Sequence, residues 1–380
     1  MTGNSPQRIA IFIPTLAGGG VEKNMVHLSR SFVDRGREVD LVLANATGPC
    51  LKDVDPRVNL VNLASSRVLF ALPGLVRYLR SRRPGVLLAG MGHANVVALA
   101  ARGLAGGECR VVVSVHTILS IHRHMSDKKL TSVVPKIARY LYPRAAGIIA
   151  VSPDVADDLA EISHLKRDSI TVIGNPVVTP ELRAGFSRKP EHRFFGGDQL
   201  PVVLSVGRMD GQKGFDVLLR AHALMREAVP HNLLILGEGR DRPMLEELVT
   251  ELGVSGTVDM PGFVDGVPGY MAQADLFALS SRFEGFGNVL VEALAGGLPV
   301  VATRCSGGPV FILEDGRLGP LVPMDDPEAL ARTMAETLAS PVDAEILKSR
   351  AEEFSIEKIT DEYLRFFETV HRDHRIGVGS

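Results

Sequence analysis

Short hydrophobic runs alternate with amphipathic segments along most of the chain, and the pattern occurs in two successive halves. The first half opens with Arg8-Ile-Ala-Ile-Phe-Ile-Pro14, a continuous apolar run that is typical of a strand buried on both faces of a parallel sheet. The second half opens in the same way with Val202-Val-Leu-Ser-Val-Gly207. Alternating strands and helices predict parallel sheets covered by helices on both faces. We therefore expect an α/β protein with two Rossmann-like, doubly wound domains.

The positions of the runs give the expected elements and the domain boundary. A helix is expected from about Val21 to Asp34, and a last amphipathic helix after Ser355. The break between the halves is rich in turn residues, with Gly174-Asn-Pro176 and then the polar stretch 188–199. Further strands are predicted at 38–45, 58–64, 85–90, 110–116, 147–152, 170–174, 233–237, 257–260, 274–280, 298–303 and 319–323. The predicted domains are 1–177 and 178–355. Since ligands bind at the carboxyl ends of strands in open sheets, two facing sheets would form a cleft with a site on both walls.

Composition narrows the class of protein. The 380 residues are 45% hydrophobic and 23% charged, with a net charge of -2, which gives no global field for nucleic acid. Tryptophan is absent and aromatic residues make up 5%, a poor basis for stacking bases. The three cysteines are far apart and form no C-x-x-C. With no signal-peptide pattern and no apolar run near 18 residues, the sequence indicates a cytoplasmic protein.

One stretch combines a strand, a glycine turn and two acids. The apolar run Asp275-Leu-Phe-Ala-Leu-Ser280 leads into Glu284-Gly-Phe-Gly287, and a helix is expected to start near Asn288. Such a strand-to-helix turn aims backbone N–H groups at a ligand, and the helix dipole favours an anion there. Glu292 would lie about 6 Å further along the helix axis. A pyrophosphate could rest on the turn, with Glu292 accepting hydrogen bonds from ribose and Glu284 facing the other end of the ligand.

Two further motifs suit a phosphorylated ligand. Arg208 and Lys213 follow the first strand of the second half and could hold a diphosphate, although alone they would read as ordinary surface charges. Gly18-Gly-Gly20 follows the first strand of the chain and could admit a phosphate or sugar, or simply make a tight turn. It does not match G-x-G-x-x-G, so the nicotinamide fingerprint is absent.

Histidines and acids that could suggest a metal site have simpler explanations. His116 ends an apolar strand and is either a site residue or a histidine bonded to backbone. With His122 and His124 it matches no zinc spacing. Asp53-Val-Asp55 has the D-x-D form that holds a metal in some sugar-transferring enzymes, but a solvated loop is the better interpretation. We expect no metal and no cofactor.

Two basic segments raise the question of membrane contact. Residues 66–83 combine apolar residues with Arg67, Arg77, Arg80, Arg82 and Arg83, and 128–144 is similarly basic. A basic amphipathic helix can lie on anionic lipid, but it can equally pack its apolar face on a sheet. Packing is the default expectation, and peripheral contact with the inner face of a membrane is a hypothesis.

Taken together, these motifs resemble the retaining glycosyltransferases of family 4 (glycosyl transferases group 1), which have the GT-B fold of two facing Rossmann-like domains. The resemblance covers nearly the whole chain. Its most specific part is the E-x7-E signature from Glu284 to Glu292, followed by Gly297-Leu-Pro-Val-Val-Ala-Thr303. Gly207-Arg208 with Lys213-Gly214 resembles the family's basic pair, and Asn175-Pro176 its interdomain hinge. The resemblance implies that the last helix, 356–375, packs back onto the first domain.

The resemblance also implies roles for individual residues. Arg208 and Lys213 would bind the donor diphosphate, Glu292 the ribose and Glu284 the transferred sugar, with His116 reaching the sugar side. The catalytic set is therefore expected to be Arg208, Lys213, Glu284 and His116. The remaining donor-binding residues would be Gly19, Gly20, Gly262, Phe263, Phe286, Gly287, Asn288, Val289 and Glu292, with the base near Gly262 and Phe263.

The function implied is transfer of a hexose or N-acetylhexosamine from a nucleotide-diphosphate sugar, in particular a UDP-sugar. The acceptor would be a glycan or lipid-linked sugar in the synthesis of cell-surface polysaccharide or glycolipid. Two alternatives stay open at this point: a sugar-nucleotide epimerase with the GT-B fold, and a sugar-nucleotide binding protein without catalysis. A dehydrogenase fits least, because neither glycine turn suits a dinucleotide.

Overall fold

The computed structural model describes residues 8–121, 137, 139–196 and 200–376. The chain divides into two compact units, one formed by Met1–Pro176 with Ile356–Ser380 and the other by Val177–Ser355. We call them the N-terminal unit and the C-terminal unit and describe each by itself.

Parallel strands and helices alternate in both units. The strands are β1 (Arg8–Ile13), β2 (Glu38–Leu43), β3 (Asn59–Asn62), β4 (Val86–Gly90), β5 (Arg110–Val115), β6 (Gly147–Ala150), β7 (Ile170–Val172), β8 (Val202–Val206), β9 (Asn232–Leu236), β10 (Val258–Gly262), β11 (Leu276–Leu279), β12 (Val300–Thr303) and β13 (Leu321–Val322). The α-helices of the described residues are α1 (Gly20–Asp34), α2 (Leu72–Arg82), α3 (Gly92–Ala105), α4 (Pro153–Ser163), α5 (Pro180–Gly185), α6 (Phe215–Met225), α7 (Arg242–Glu251), α8 (Val267–Met271), α9 (Asn288–Ala295), α10 (Gly308–Ile312), α11 (Pro327–Ala339), α12 (Ala344–Ala351) and α13 (Ile356–Ile376).

The N-terminal unit is built on a seven-stranded parallel sheet in the order β3-β2-β1-β4-β5-β6-β7. Its central strands are almost wholly apolar and buried, as in β1, where Ile9 to Ile13 have no exposed surface. This explains why β1 reads as one continuous hydrophobic run: a strand covered by helices on both faces has no solvent side to mark with polar residues.

The last helix, α13, belongs to the N-terminal unit, although it follows the C-terminal unit in sequence. Its rings pack on Phe32 of α1, with centroid distances of 6.4 Å to Tyr363 and 5.8 Å to Phe367. Arg35 and Asp361 form an ion pair at 3.0 Å between the end of α1 and α13. A Cβ on Gly147 of β6 would lie 2.6 Å from the Phe366 ring, so a glycine lets α13 pack closely against the sheet.

The C-terminal unit is built on a six-stranded parallel sheet in the order β10-β9-β8-β11-β12-β13. Strand order reverses between β8 and β11, which are hydrogen-bonded neighbours with Leu276 opposite Val203. The chain leaves these two strands in opposite directions across the sheet, and the loops after them therefore open a crevice at the carboxyl edge. The same reversal lies between β1 and β4 in the N-terminal unit.

The basic segment 66–83 differs from the single amphipathic helix expected from its pattern. Val68–Ala71 forms a 3₁₀ turn, and α2 begins only at Leu72. Pro73 in the first turn of α2 explains the start, because proline lacks the N–H that a preceding helical turn would use. Arg80, Arg82 and Arg83 form contacts within the unit. Arg82 pairs with buried Asp40 at 3.3 Å, and Arg80 donates to the Leu104 carbonyl at 2.8 Å.

Candidate active site

The strand-order reversal of the C-terminal unit is where the two strongest sequence motifs meet. We call residues 207–214, after β8, the Lys213 loop, and residues 280–287, after β11, the Glu284 loop. Lys213 Nζ lies 2.6 Å from Glu284 Oε1, and the side chains are 15% and 8% exposed. The Ser281 hydroxyl donates to the same carboxylate oxygen at 2.7 Å. A cation and an acid 71 residues apart in sequence therefore form one nearly buried pair at the edge of the sheet.

Polar contacts and a glycine hold the two loops together around this pair. Ser280 Oγ donates to the Lys213 carbonyl at 2.8 Å, and Gln212 Nε2 donates to the Phe283 carbonyl at 3.0 Å. Gly214 has φ +60°, and a Cβ there would lie 2.2 Å from the Ser280 carbonyl oxygen. Only glycine allows the backbones to approach this closely at a left-handed position.

The loop after β12 supports the Glu284 loop from the other side. The Glu284 N–H donates to the Ser306 carbonyl at 2.9 Å. Side chains are excluded from the next two positions: a Cβ on Gly307 would lie 1.8 Å from the Glu284 carbonyl oxygen, and one on Gly308 would lie 1.7 Å from that of Phe286. The backbone that carries Glu284 is thus held between the loops that follow the two neighbouring strands, β8 and β12.

The start of α9 has the form expected from its sequence. Gly287 precedes the helix in the left-handed region, with φ +93°, and Asn288 and Val289 form its first turn. The Phe286 ring is buried and packs edge-on against Phe354 at 5.3 Å. What this segment can offer a ligand is therefore its backbone, including the first N–H groups of α9. Glu292 is half-buried and lies one turn into the helix.

Arg208 lies two residues after β8 and is far more exposed than Lys213. Its side chain is 73% exposed, and Nε lies 2.9 Å from Asp210 Oδ2. The Lys213 loop is bound to the neighbouring strand end by a hydrogen bond from the Met209 N–H to the Glu238 carbonyl, at 2.9 Å. Position 239 requires glycine, since a Cβ there would lie 2.2 Å from the Met209 carbonyl oxygen. Arg208 thus stands at the same rim as Lys213 with its guanidinium accessible.

Gly262 and Phe263 lie at the end of β10, on the outer side of the same rim. Gly262 has φ +91°, and a Cβ there would lie 2.6 Å from Glu238 Oε1. Arg242 holds the Glu238 carboxylate through an ion pair at 2.9 Å. The Phe263 ring is 78% exposed, which is unusual for a residue this apolar and leaves an aromatic face accessible beside the strand end.

The N-terminal unit carries the remaining predicted residues. Gly19 and Gly20 are exposed at the start of α1, and a Cβ on Gly19 would lie 2.6 Å from Glu22 Oε2. His116 follows β5, with Nε2 at 2.9 Å from Ser114 Oγ. Burial lowers the pKa of His116 to about 4, against a smaller raising effect of its hydrogen bond with Asn175. The imidazole is therefore neutral at neutral pH.

The candidate metal motifs take ordinary structural roles where they are described. Asp53 ends a short 3₁₀ helix, and Asp55 is paired with Arg57 at 2.7 Å. Side-chain and backbone hydrogen bonds from Arg57 lower the pKa of Asp55 to about 2. Within the described ranges, no three His, Cys, Asp or Glu side chains converge as a metal site would require. His122 and His124 lie outside the described residues, as does most of the basic segment 128–144.

Comparison with known proteins identifies the family. The model for glycosyl transferases group 1 matches residues 200–340, and the model for glycosyltransferase family 4 matches 18–180. A lipopolysaccharide core biosynthesis glycosyltransferase, LpsE of Rhizobium meliloti, is 30% identical over 91% of this chain and 95% of its own length. The chain belongs to glycosyltransferase family 4. Membership makes it a glycosyltransferase rather than an epimerase, a dehydrogenase or a binding protein without catalysis.

Further comparisons agree with this family. N-acetylgalactosamine-N,N'-diacetylbacillosaminyl-diphospho-undecaprenol 4-alpha-N-acetylgalactosaminyltransferase of Campylobacter jejuni is 28% identical over 87% of this chain and 90% of its own length. Anabaena HepE, solved in complex with UDP and glucose, superimposes with a TM-score of 0.76 at 21% identity, over 96% of this chain and all of its own. The two-domain architecture of this glycosyltransferase is therefore GT-B.

The sequence motifs missed several residues that shape the candidate site. Ser281 binds Glu284, and Gln212 and Ser280 join the two loops. The available signal was their position in the loops after β8 and β11, since ligands bind at the carboxyl ends of strands in open sheets and polar residues there often belong to a site. Among the described residues, no helix is both long and apolar enough to cross a lipid bilayer.

Proposed function

We propose that this glycosyltransferase is a retaining enzyme that moves a hexose or N-acetylhexosamine from a UDP-sugar to a glycan or lipid-linked acceptor. Its product would be part of a cell-surface polysaccharide or glycolipid. The observation that carries the proposal is the Lys213–Glu284 pair at the strand-order reversal, with the start of α9 directly after it. A fixed cation and a row of backbone N–H groups at one rim suit the diphosphate of such a donor.

The chemistry requires stabilisation of the leaving nucleotide. When the sugar departs, negative charge grows on the β-phosphate, and groups already oriented towards that charge lower the barrier. An ammonium has three N–H donors, so Lys213 retains capacity for phosphate oxygens beside its bond to Glu284. Arg208 adds an accessible guanidinium that can bind two oxygens at once.

The other residues have proposed roles that follow the family pattern. Glu292 would bind ribose, Glu284 the transferred sugar, and Gly287, Asn288 and Val289 the phosphates through their backbone. The exposed ring of Phe263 beside Gly262 suits contact with the base. In the N-terminal unit, Gly19 and Gly20 would approach the donor, and neutral His116 would contact the sugar.

The relatives support the classes of donor and acceptor. HepE was solved with UDP and glucose, and the name of LpsE places that protein in lipopolysaccharide core biosynthesis. The Campylobacter relative is named for a diphospho-undecaprenol acceptor, which is lipid-linked. A thermal-shift screen across UDP-, GDP- and ADP-sugars tests the donor, since a ligand that binds the native state raises its melting temperature. The proposal expects the largest shift with a UDP-sugar, and a GDP- or ADP-sugar ranking first would contradict it.

Substitution of the two cations tests the site. Arg208→Ala and Lys213→Ala should each cost about 2–4 kcal/mol of transition-state stabilisation, as does loss of one preorganised donor elsewhere. Lys348→Ala is a matched control, because Lys348 forms a Glu345 ion pair of similar length, 2.7 Å, on the exposed face of α12. Turnover near that of the wild type in both site variants would reject the assignment. Proton NMR of the product would test retention, which predicts that the anomeric configuration of the donor is kept.

We also propose that transfer needs no metal ion, since Arg208 and Lys213 supply the positive charge that a metal supplies in other transferases. Full activity after dialysis against EDTA is the expected result. Loss of activity that Mg²⁺ or Mn²⁺ restores would show that a metal takes part.

Peripheral membrane contact fits an enzyme with a lipid-linked acceptor, and we propose it for the 3₁₀ turn before α2. Leu69 and Phe70 are 44% and 65% exposed there, and Arg67 before the turn and Arg77 in α2 are exposed as well. Exposed apolar side chains in a segment that also exposes arginines suit the surface of an anionic bilayer. Flotation with phosphatidylglycerol liposomes at low salt should carry the wild type upward, and Phe70→Ser with Arg77→Glu should abolish this. Failure of the wild type to float would end the idea.

A further inference from the structure

A third cation, Arg282, lies in the same loop as Glu284. Its side chain is 32% exposed, and it lies two residues before Glu284 in the Glu284 loop. Nη2 and Nη1 donate to the two carboxylate oxygens of Asp216, at 2.8 and 3.1 Å. Nε donates to Asp325 at 2.8 Å, and Nη1 also donates to the Gly211 carbonyl at 2.8 Å. One guanidinium thus joins the Glu284 loop to three other segments of the C-terminal unit.

The partners of Arg282 lie on both sides of Lys213 in sequence. Gly211 is two residues before Lys213, and Asp216 is three residues after it, in the first turn of α6. The backbone of Arg282 adds a further bond, from its N–H to the Gln212 carbonyl at 2.8 Å. The segment that carries the lysine is therefore held at 211, 212 and 216 by the residue that sits two positions from Glu284.

The Asp216 partner stays charged in the range where the enzyme would work. Burial raises the pKa of Asp216, but the hydrogen bonds and charge of Arg282 outweigh this effect and lower the pKa overall. A bidentate pair with a planar guanidinium fixes orientation as well as distance, which a single ammonium cannot do. We call the bidentate Arg282–Asp216 pair, which joins the Glu284 loop to α6, the brace.

We propose that Arg282, together with Asp216, is a positioning residue for the transfer reaction: it sets where Lys213 Nζ stands relative to Glu284 and so to the donor diphosphate. The inference rests on the proposed function, because it assigns Arg282 an effect that passes through Lys213. Arg282 itself need not touch the donor. Since small displacements of a reacting or binding group can cost up to about 100-fold, loss of the brace should be visible in binding and turnover.

A double-mutant cycle on UDP affinity tests the inference. Dissociation constants for UDP are measured by calorimetry, well below the melting temperature, for the wild type, Arg282→Ala, Lys213→Ala and the double variant. Arg282→Ala should weaken binding on the order of tenfold in the wild-type background and less than twofold in the Lys213→Ala background. Arg282→Lys should restore little, because an ammonium cannot reproduce the fork.

Asp325→Asn is the matched control. It removes the outer ion pair of Arg282 but leaves the bonds to Asp216 and Gly211, and its own side chain is 59% exposed. UDP affinity within twofold of the wild type is expected. If Arg282→Ala does not fold, Asp216→Asn takes its place in the cycle, because it weakens the same brace from the other side.

The outcomes separate the inference from the proposed function. A wild type that does not bind UDP, or a Lys213→Ala variant that binds it unchanged, would reject the proposed donor site itself. Equal losses from Arg282→Ala in both backgrounds, or a fall in melting temperature with unchanged UDP affinity, would show that Arg282 only stabilises the fold and would overturn the inference alone.

Discussion

Removing one member of the Lys213–Glu284 pair should destabilise the C-terminal unit as well as inactivate the enzyme. Lys213→Met leaves the Glu284 carboxylate, 8% exposed, with the Ser281 hydroxyl but without its cation. Breaking a buried pair in this way costs about 3–5 kcal/mol. Because Lys213 is 15% exposed, we expect the lower end of this range, about 3 kcal/mol. For a unit of this size, the melting temperature should fall by roughly 6–12 °C.

The double variant Lys213→Met with Glu284→Gln separates stability from function. A neutral glutamine carries no unpaired charge and can still accept from Ser281, so most of the lost stability should return. Activity should not return, because Lys213, the cation that we propose stabilises the leaving phosphate, is still missing. Differential scanning calorimetry and a transfer assay on the same samples measure both effects.

The surface pair Lys348–Glu345 provides the control. Its side chains are 44% and 79% exposed, so Lys348→Met should change stability by less than about 1 kcal/mol. A Lys213→Met variant that melts within 2 °C of the wild type would refute the reasoning. So would a double variant no more stable than Lys213→Met.

Two further predictions concern acid stability and loop geometry. His222 and His231 are buried and joined at 2.8 Å, and burial lowers the pKa of both, that of His222 to about 3. In the unfolded chain His222 takes up a proton near pH 6.5, whereas in the folded chain it stays neutral at pH 5 because its pKa is about 3. The free energy of unfolding of the wild type should therefore fall by about 2 kcal/mol through His222 between pH 7.5 and pH 5. Urea melts of His222→Gln should not show this loss, and parallel pH profiles of the two proteins would contradict the argument. Gly214→Ala should lose more than about 2 kcal/mol and most UDP affinity, because of its left-handed φ and the Ser280 carbonyl. Gly211→Ala, with its nearest contact at 4.0 Å, should lose little of either, and equal effects in calorimetry would contradict the steric argument.

Much of the fold followed from the sequence because the relevant signals are local. A strand buried on both faces needs an unbroken apolar run, and a strand-to-helix turn at a tight edge needs glycine. Thus β1, β8 and β11 were located to within a residue or two, and the start of α9 was placed at Asn288. The prediction of one amphipathic helix over 66–83 was wrong, because Pro73 shifts the start of α2 to Leu72. The hydrophobic pattern alone does not show this effect.

The partners within the site were decided by the tertiary structure. The sequence indicated Lys213 and Glu284 as separate ligand-binding residues, and the sheet order β8-β11 makes them a pair. The motifs did not identify Arg282, because its partners Gly211, Asp216 and Asp325 lie on segments distant along the chain. The physical reason is that periodicity and turn chemistry act between neighbours in sequence. Contacts between loops depend on which strands lie side by side, and the packing of the whole sheet sets that order.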